Sequence, residues 1–184
     1  PLIQRCVKDK QTLTATFSYD ALSFADVVVV DVQCDYHKET LGNVRQGHAD
    51  IEALEESLKI IGEKIEPHCL VLIETTVPPG TTEYVAYPII KKAFKKRNLV
   101  QKPEVGGRMS DVGGQPPDDF KAAEPLLAHS FERVMPGRHY VASIRDFWRV
   151  CSGINEQARE RVEAFLSSIL NVKEFPLTIL DRPI

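Results

Sequence analysis

The sequence predicts an α/β fold built on a mostly parallel, doubly wound sheet. Asp26-Val-Val-Val-Val-Asp-Val32 and Leu70-Val-Leu-Ile73 are continuous apolar runs rather than alternating ones. Such runs suit strands buried on both faces, as in parallel sheets. Between them lies a helical pattern, and the order strand, helix, strand, helix, strand continues beyond.

The first readable element is a short β-type run, Leu13–Thr16, followed by a short helix or turn over Ser18–Phe24. After the valine strand, residues 37–48 are polar, contain Gly42 and Gly47, and read as a loop. Asp50 is a good N-cap for the first long helix, and Glu52 suits the positive end of its dipole. Ala53 stands where a capping box would need Glu or Gln. Ile51, Leu54, Leu58, Ile61 and Ile65 fall on one helix face, and Pro67 closes the pattern.

Glu74-Thr-Thr-Val-Pro-Pro-Gly-Thr-Thr-Glu83 reads as a turn after the second strand, with Thr81 or Thr82 able to cap the next helix. That helix reaches about Arg97 and must accommodate Pro88 by a kink or a late start. Residues 101–119, rich in Gly, Pro and Asp, read as a flexible loop within one domain spanning 1–184. Leu126–His129 and Arg149–Cys151 are further strand candidates. Asn155 caps a last helix with Ala158, Val162, Phe165 and Ile169 on one face, and a strand follows at Phe175–Leu180.

Bulk properties narrow the function. A net charge of -3 gives no electrostatic case for nucleic acid or an anionic membrane. No apolar stretch is long enough to span a bilayer. Cys6, Cys34, Cys69 and Cys151 are far apart and form no CxxC pair, so they read as free thiols in the cytoplasm. The five histidines show no metal-ligand spacing, and no metal is expected.

In open parallel sheets, ligands bind beyond the carboxyl ends of the strands. Three unusual segments follow three strand candidates: Gln33–Tyr36, Glu74–Thr82 and Ser130–Gly137. They are expected to gather along one sheet edge. The threonine-rich segment offers hydroxyls and N–H groups to an anionic or polar ligand. A rigid turn with a capped helix explains the same spacing and, on spacing alone, is the simpler reading. Glu132 can serve as a base or hold a hydroxyl, and Arg133 can hold an anion. A surface ion pair is again the simpler alternative. The Gly106-Gly107 and Gly113-Gly114 pairs are not GxGxxG and read as loop.

Ala25-Asp-Val-Val-Val-Val30, Glu74–Glu83 and Ser130-Phe-Glu-Arg-Val-Met-Pro-Gly137, in this order and spacing, resemble the UDP-glucose/GDP-mannose dehydrogenase family. The Glu-Arg-Val-Met-Pro-Gly form is similar to the UDP-N-acetylmannosamine or UDP-N-acetylglucosamine dehydrogenase branch. The resemblance implies a Rossmann-like, three-layer domain that binds NAD. It also implies oxidation of the C6 alcohol of a UDP-sugar to a carboxylate in two NAD-dependent steps. It places Thr76 near the nicotinamide, where it helps position a water, and Glu132 at the reacting sugar with Arg133 beside it. Val32, Cys34, Thr75 and Thr76 fall where the family contacts the cofactor. Cys34 stands in a threonine position, and Phe131 replaces a proline.

The first βαβ unit of that fold, with its GxGxxG turn, has no counterpart in these 184 residues. Nor has the central-domain lysine, asparagine and nucleophilic cysteine. The chain is therefore expected to be a truncated portion of such an enzyme and inactive in isolation. The alternatives are a non-catalytic binding or oligomerisation module and a remnant with no specific ligand. Without the first strand, the Val27–Val32 edge lacks a neighbour, and such edges rarely stay exposed. Two chains are expected to pair there as a homodimer, or Leu13–Thr16 to fold back over it.

Overall fold

The computed structural model describes residues 2–38, 47–99, 123–132, 134 and 137–181. The predicted loop at 101–119 therefore lies outside the described residues. Seven strands are present among them: β1 (Val27–Val30), β2 (Asp35–His37), β3 (His48–Asp50), β4 (Leu70–Ile73), β5 (Leu126–His129), β6 (Val150–Gly153) and β7 (Thr178–Leu180). The helices are α1 (Leu2–Gln4), α2 (Glu52–Lys64), α3 (Tyr87–Lys96), α4 (Tyr140–Arg145) and α5 (Glu156–Ile169). A 3₁₀ turn covers Tyr19–Phe24, and π-type turns cover Arg5–Asp9 and Thr82–Ala86.

Five strands form one sheet in the order β1-β4-β5-β6-β7. β1, β4 and β5 are parallel in register, with Val27 opposite Leu70 and Leu70 opposite Leu126. β6 runs antiparallel to β5 and parallel to β7. A parallel return needs a substantial crossover, usually a helix; among the described residues of this link the helix is the six-residue α4.

The continuous apolar runs do what their pattern requires. All four residues of β4 and of β5 are buried. Alternate side chains point to opposite faces. Val71, Ile73 and Leu127 join Leu54, Leu58, Ile65, Ile90 and Phe94 beneath α2 and α3. Leu70, Leu72, Leu126 and Ala128 join Ala158, Val162 and Leu166 beneath α5. The result is a three-layer α/β sandwich, as expected.

β1 is corrected from doubly buried to half-buried, with Val29 43% exposed. Among the described residues it pairs only with β4 and stands at the sheet edge. The Leu13–Thr16 strand does not form; these residues are exposed and outside regular structure, so they do not cover that edge. Their one large apolar side chain, Leu13, is 52% exposed.

The loop expected over 37–48 begins and ends in strand: β2 and β3 form an antiparallel ribbon with Asp35 opposite Asp50. The N-cap of α2 is Ile51 rather than Asp50, and its side chain makes no cap; Asp50 closes β3 one residue earlier, and its Oδ1 still accepts the free Glu52 N–H at 3.1 Å. Asn155 caps α5 as expected, its Oδ1 accepting the Ala158 N–H at 2.8 Å. The buried stripe of α5 is Ala158, Val162 and Leu166, while Ile169 is 42% exposed. Pro88 produces the late start: it lies in the first turn of α3, after the π-type turn.

Candidate functional site

The hydrogen-bond ladder continues past the strand ends and assembles the site. The Glu74 N–H donates to the Val30 carbonyl at 3.0 Å, and the Ser130 N–H to the Ile73 carbonyl at 3.0 Å. The Glu132 N–H then donates to the Glu74 carbonyl at 3.0 Å. The chain segments leaving β4 and β5 are therefore stitched together, with the exit of β1 beside them.

Thr75 is 8% exposed, whereas Thr76 is open to solvent. Glu132 is half-buried, and its Oε1 accepts the Val134 N–H. Arg133 lies outside the described residues. Val32 and Cys34 are half-buried against the α2/α3 core. The Cys34 thiol donates to the Val32 carbonyl at 3.7 Å. Burial, and then Asp50 and Asp35, push its pKa up, which suits an inert thiol better than a nucleophile. Burial likewise pushes Cys69 and Cys151 to about 11.

The turn after β4 differs from expectation in its capping. Thr81 precedes the π-type turn, but its hydroxyl donates to the Pro78 carbonyl at 2.7 Å instead of capping a free N–H. Gly80, at φ +87°, makes the reversal that brings Thr81 back onto Pro78. The Thr82 hydroxyl is fully buried and, among the described residues, without a hydrogen-bond partner.

Three residues at this edge were not singled out from sequence. Arg149 is 3% exposed and donates from Nη1 to Glu74 Oε1 at 2.9 Å and to the Phe131 carbonyl at 3.2 Å. Glu74 itself is partly buried. Desolvation pushes its pKa up, Arg149 draws it down, and Asp31 and Glu132 push it up again. His129 is 6% exposed and lacks a hydrogen-bond partner on either ring nitrogen among the described residues. Burial lowers its pKa, with the Thr75 backbone acting in the opposite direction.

A separate cleft of about 390 Å³ lies between the β2–β3 ribbon and the start of α2. It is lined by Gln33, Asp35, Asp50, Glu52, Ala53 and Glu56. Its carboxylates disfavour a phosphate-bearing ligand there. No group of His, Cys, Asp or Glu side chains among the described residues could hold a metal ion.

Residues 1–112 match the model of the UDP-glucose/GDP-mannose dehydrogenase family, NAD binding domain. The chain belongs to that family. A UDP-N-acetyl-D-mannosamine dehydrogenase of Pyrococcus horikoshii is 31% identical over 126 residues, which is 68% of this chain and 24% of that protein. The solved structure of a UDP-D-ManNAc dehydrogenase from the same organism aligns with a TM-score of 0.67 and 21% identity, covering 99% of this chain and 36% of that one. An NDP-N-acetyl-D-galactosaminuronic acid dehydrogenase from Methanosarcina mazei aligns with a TM-score of 0.59 and 25% identity, covering 90% of this chain and 28% of that one. The chain thus spans about a quarter to a third of the length of these relatives.

NAD is the cofactor implied by the family domain. The residues present fit it in part. The edge formed by Thr75, Thr76 and Glu132 offers one open hydroxyl and a carboxylate at strand ends, where such folds bind ligands. A glycine-rich turn for the pyrophosphate is not among the 184 residues.

Proposed function

We propose that this chain is a portion of an NAD-dependent nucleotide-sugar 6-dehydrogenase, with its reaction centre at the carboxyl edge of β4 and β5. The observation that carries this reading is the hydrogen bond from the Glu132 N–H to the Glu74 carbonyl. It joins the Glu132 segment to the turn bearing Thr75 and Thr76. In this reading Thr76 orients a water near the nicotinamide, and Glu132 acts at the C6 alcohol of a UDP-sugar. Arg133 takes an anionic group beside it. Val32, Cys34, Thr75 and Thr76 line the cofactor side.

When bound, NAD accepts a hydride. These residues alone lack the pyrophosphate turn and the nucleophilic cysteine, so the isolated chain binds weakly and does not turn over. The four free thiols support a cytoplasmic setting. No helix among the described residues is long and apolar enough to cross a membrane.

A second reading, a non-catalytic oligomerisation module, is favoured by the half-exposed β1 edge, through which two copies would pair as a homodimer. A thermal-shift titration with NAD and a panel of UDP- and GDP-sugars separates the two. A ligand that binds only the folded state raises the melting midpoint when its concentration is well above its dissociation constant. A saturable rise with a UDP-sugar or NAD supports the dehydrogenase reading. A flat response to every ligand leaves the scaffold without a usable site and favours the second.

A further inference from the structure

The peptide group joining Phe131 to Glu132 is held at both ends. Its carbonyl accepts from Arg149 Nη1 at 3.2 Å, and its N–H donates to the Glu74 carbonyl at 3.0 Å. The two holders are themselves joined, since the same Arg149 nitrogen donates to Glu74 Oε1 at 2.9 Å. Arg149, Glu74 and this peptide therefore form a closed circuit across the mouths of β4, β5 and β6. A peptide group is planar, so fixing both its oxygen and its hydrogen fixes the plane from which the Glu132 Cα departs. Only rotations at Glu132 itself then remain to direct its carboxylate.

The electrostatics require the same partner. Glu74 is partly desolvated and faces the charges of Asp31 and Glu132, both of which disfavour its ionised form. Arg149 is the cation that opposes them, and it is itself almost fully buried. A buried guanidinium is costly unless its hydrogen bonds are made, and a single long side chain here makes two across three strand ends. A surface ion pair would have neither the burial nor the second, backbone acceptor.

We infer that Arg149, with Glu74, is a positioning residue that sets the direction of Glu132 by clamping the Phe131–Glu132 peptide. This rests on the reading above, in which Glu132 meets the sugar. The clamp itself can be tested without any ligand.

The experiment is amide hydrogen exchange, read residue by residue by NMR on the whole chain. Arg149→Met alone would leave Glu74 buried and unpaired and could unfold the protein. The decisive variant is therefore Glu74→Gln/Arg149→Met, which removes both charges together. The expected result is that the Glu132 amide exchanges about tenfold faster, measured against Leu72 and Ala128 in the same chain. That factor corresponds to losing one hydrogen bond with a charged donor. Glu74→Gln alone keeps an acceptor for Arg149 and should leave the ratio near that of the parent. If Glu132, Leu72 and Ala128 all accelerate by one common factor, Arg149 contributes only global stability and the proposal is overturned. An unchanged ratio in the double variant overturns it as well. Failure of the sugar titration would remove the functional reading but would not alter this ratio.

Discussion

Gly62 of α2 faces Ala93 of α3 so closely that a methyl group at position 62 would lie 2.8 Å from the Ala93 Cβ. The backbone of Ile90 stands just behind, at 3.3 Å. This close crossing lets α2 and α3 share the core over Val71 and Leu127. Gly62→Ala should improve intrinsic helix propensity by about 1 kcal/mol. Against that, overpacking typically costs about 1 to 3 kcal/mol. The expected net is a loss of about 1 kcal/mol by urea unfolding. A more stable Gly62→Ala variant would mean that the helices separate at little cost.

His129 predicts how stability responds to acid. Its folded pKa lies below the ordinary value of 6.5, first because of burial. As pH falls below about 6.5, the unfolded chain takes up a proton at this side chain before the folded chain does. Stability therefore falls across that window, from the unfolded value down towards the folded one. Glu74, with a raised pKa, acts in the opposite direction at lower pH. The comparison must therefore be between the parent and His129→Leu. Equilibrium unfolding at pH 7.5 and pH 5.5 should show the variant gaining relative to the parent as the pH drops. A constant difference between the two would show that His129 titrates alike in both states.

Thr82 presents a simpler case. Its hydroxyl is buried at the start of the π-type turn, with no partner among the described residues. Thr82→Val keeps the shape and removes the unsatisfied group. It should be neutral or stabilising by about 1 kcal/mol, read as a rise in melting midpoint. A loss above about 2 kcal/mol would reveal a hydrogen bond the hydroxyl makes in solution.

The parts of the fold that were legible in sequence are those whose burial is complete. Leu70–Ile73 and Leu126–His129 are central strands, covered on both faces, and their composition carries the whole signal. Val27–Val30 is likewise apolar, yet among the described residues no strand lies beyond it and it is half-exposed, which no local pattern encodes. On α5, Ala158 and Val162 are buried as read, and Phe165 and Leu166 both pack on the same cluster; only the packing decides that Leu166 is the more deeply buried of the two. At the site, the threonine turn and Glu132 announce themselves as motifs. Arg149 does not, since its partner Glu74 lies 75 residues away and neither residue is unusual where it stands. The only local hint was a charged residue at the mouth of an otherwise apolar strand.

The β1 edge yields the last prediction. The carbonyls of Asp26 and Val30 accept from Leu70 and Glu74 of the β4 segment, so by alternation those of Val27 and Val29 point outward. Two copies related by a twofold axis would pair these edges antiparallel. Directly opposite residues of such a pair turn their backbone groups the same way, so centring it on Val29 places Val27 opposite Asp31 of the second copy, twice over. Each Asp31 carboxylate would then lose water beside an apolar neighbour, which disfavours its charge. Asp31→Asn should therefore tighten the dimer in sedimentation equilibrium. If both proteins remain monomeric at every concentration and salt, and the Val27 and Val29 amides exchange freely, self-pairing through this edge is excluded. The edge would then be a seam for a different strand.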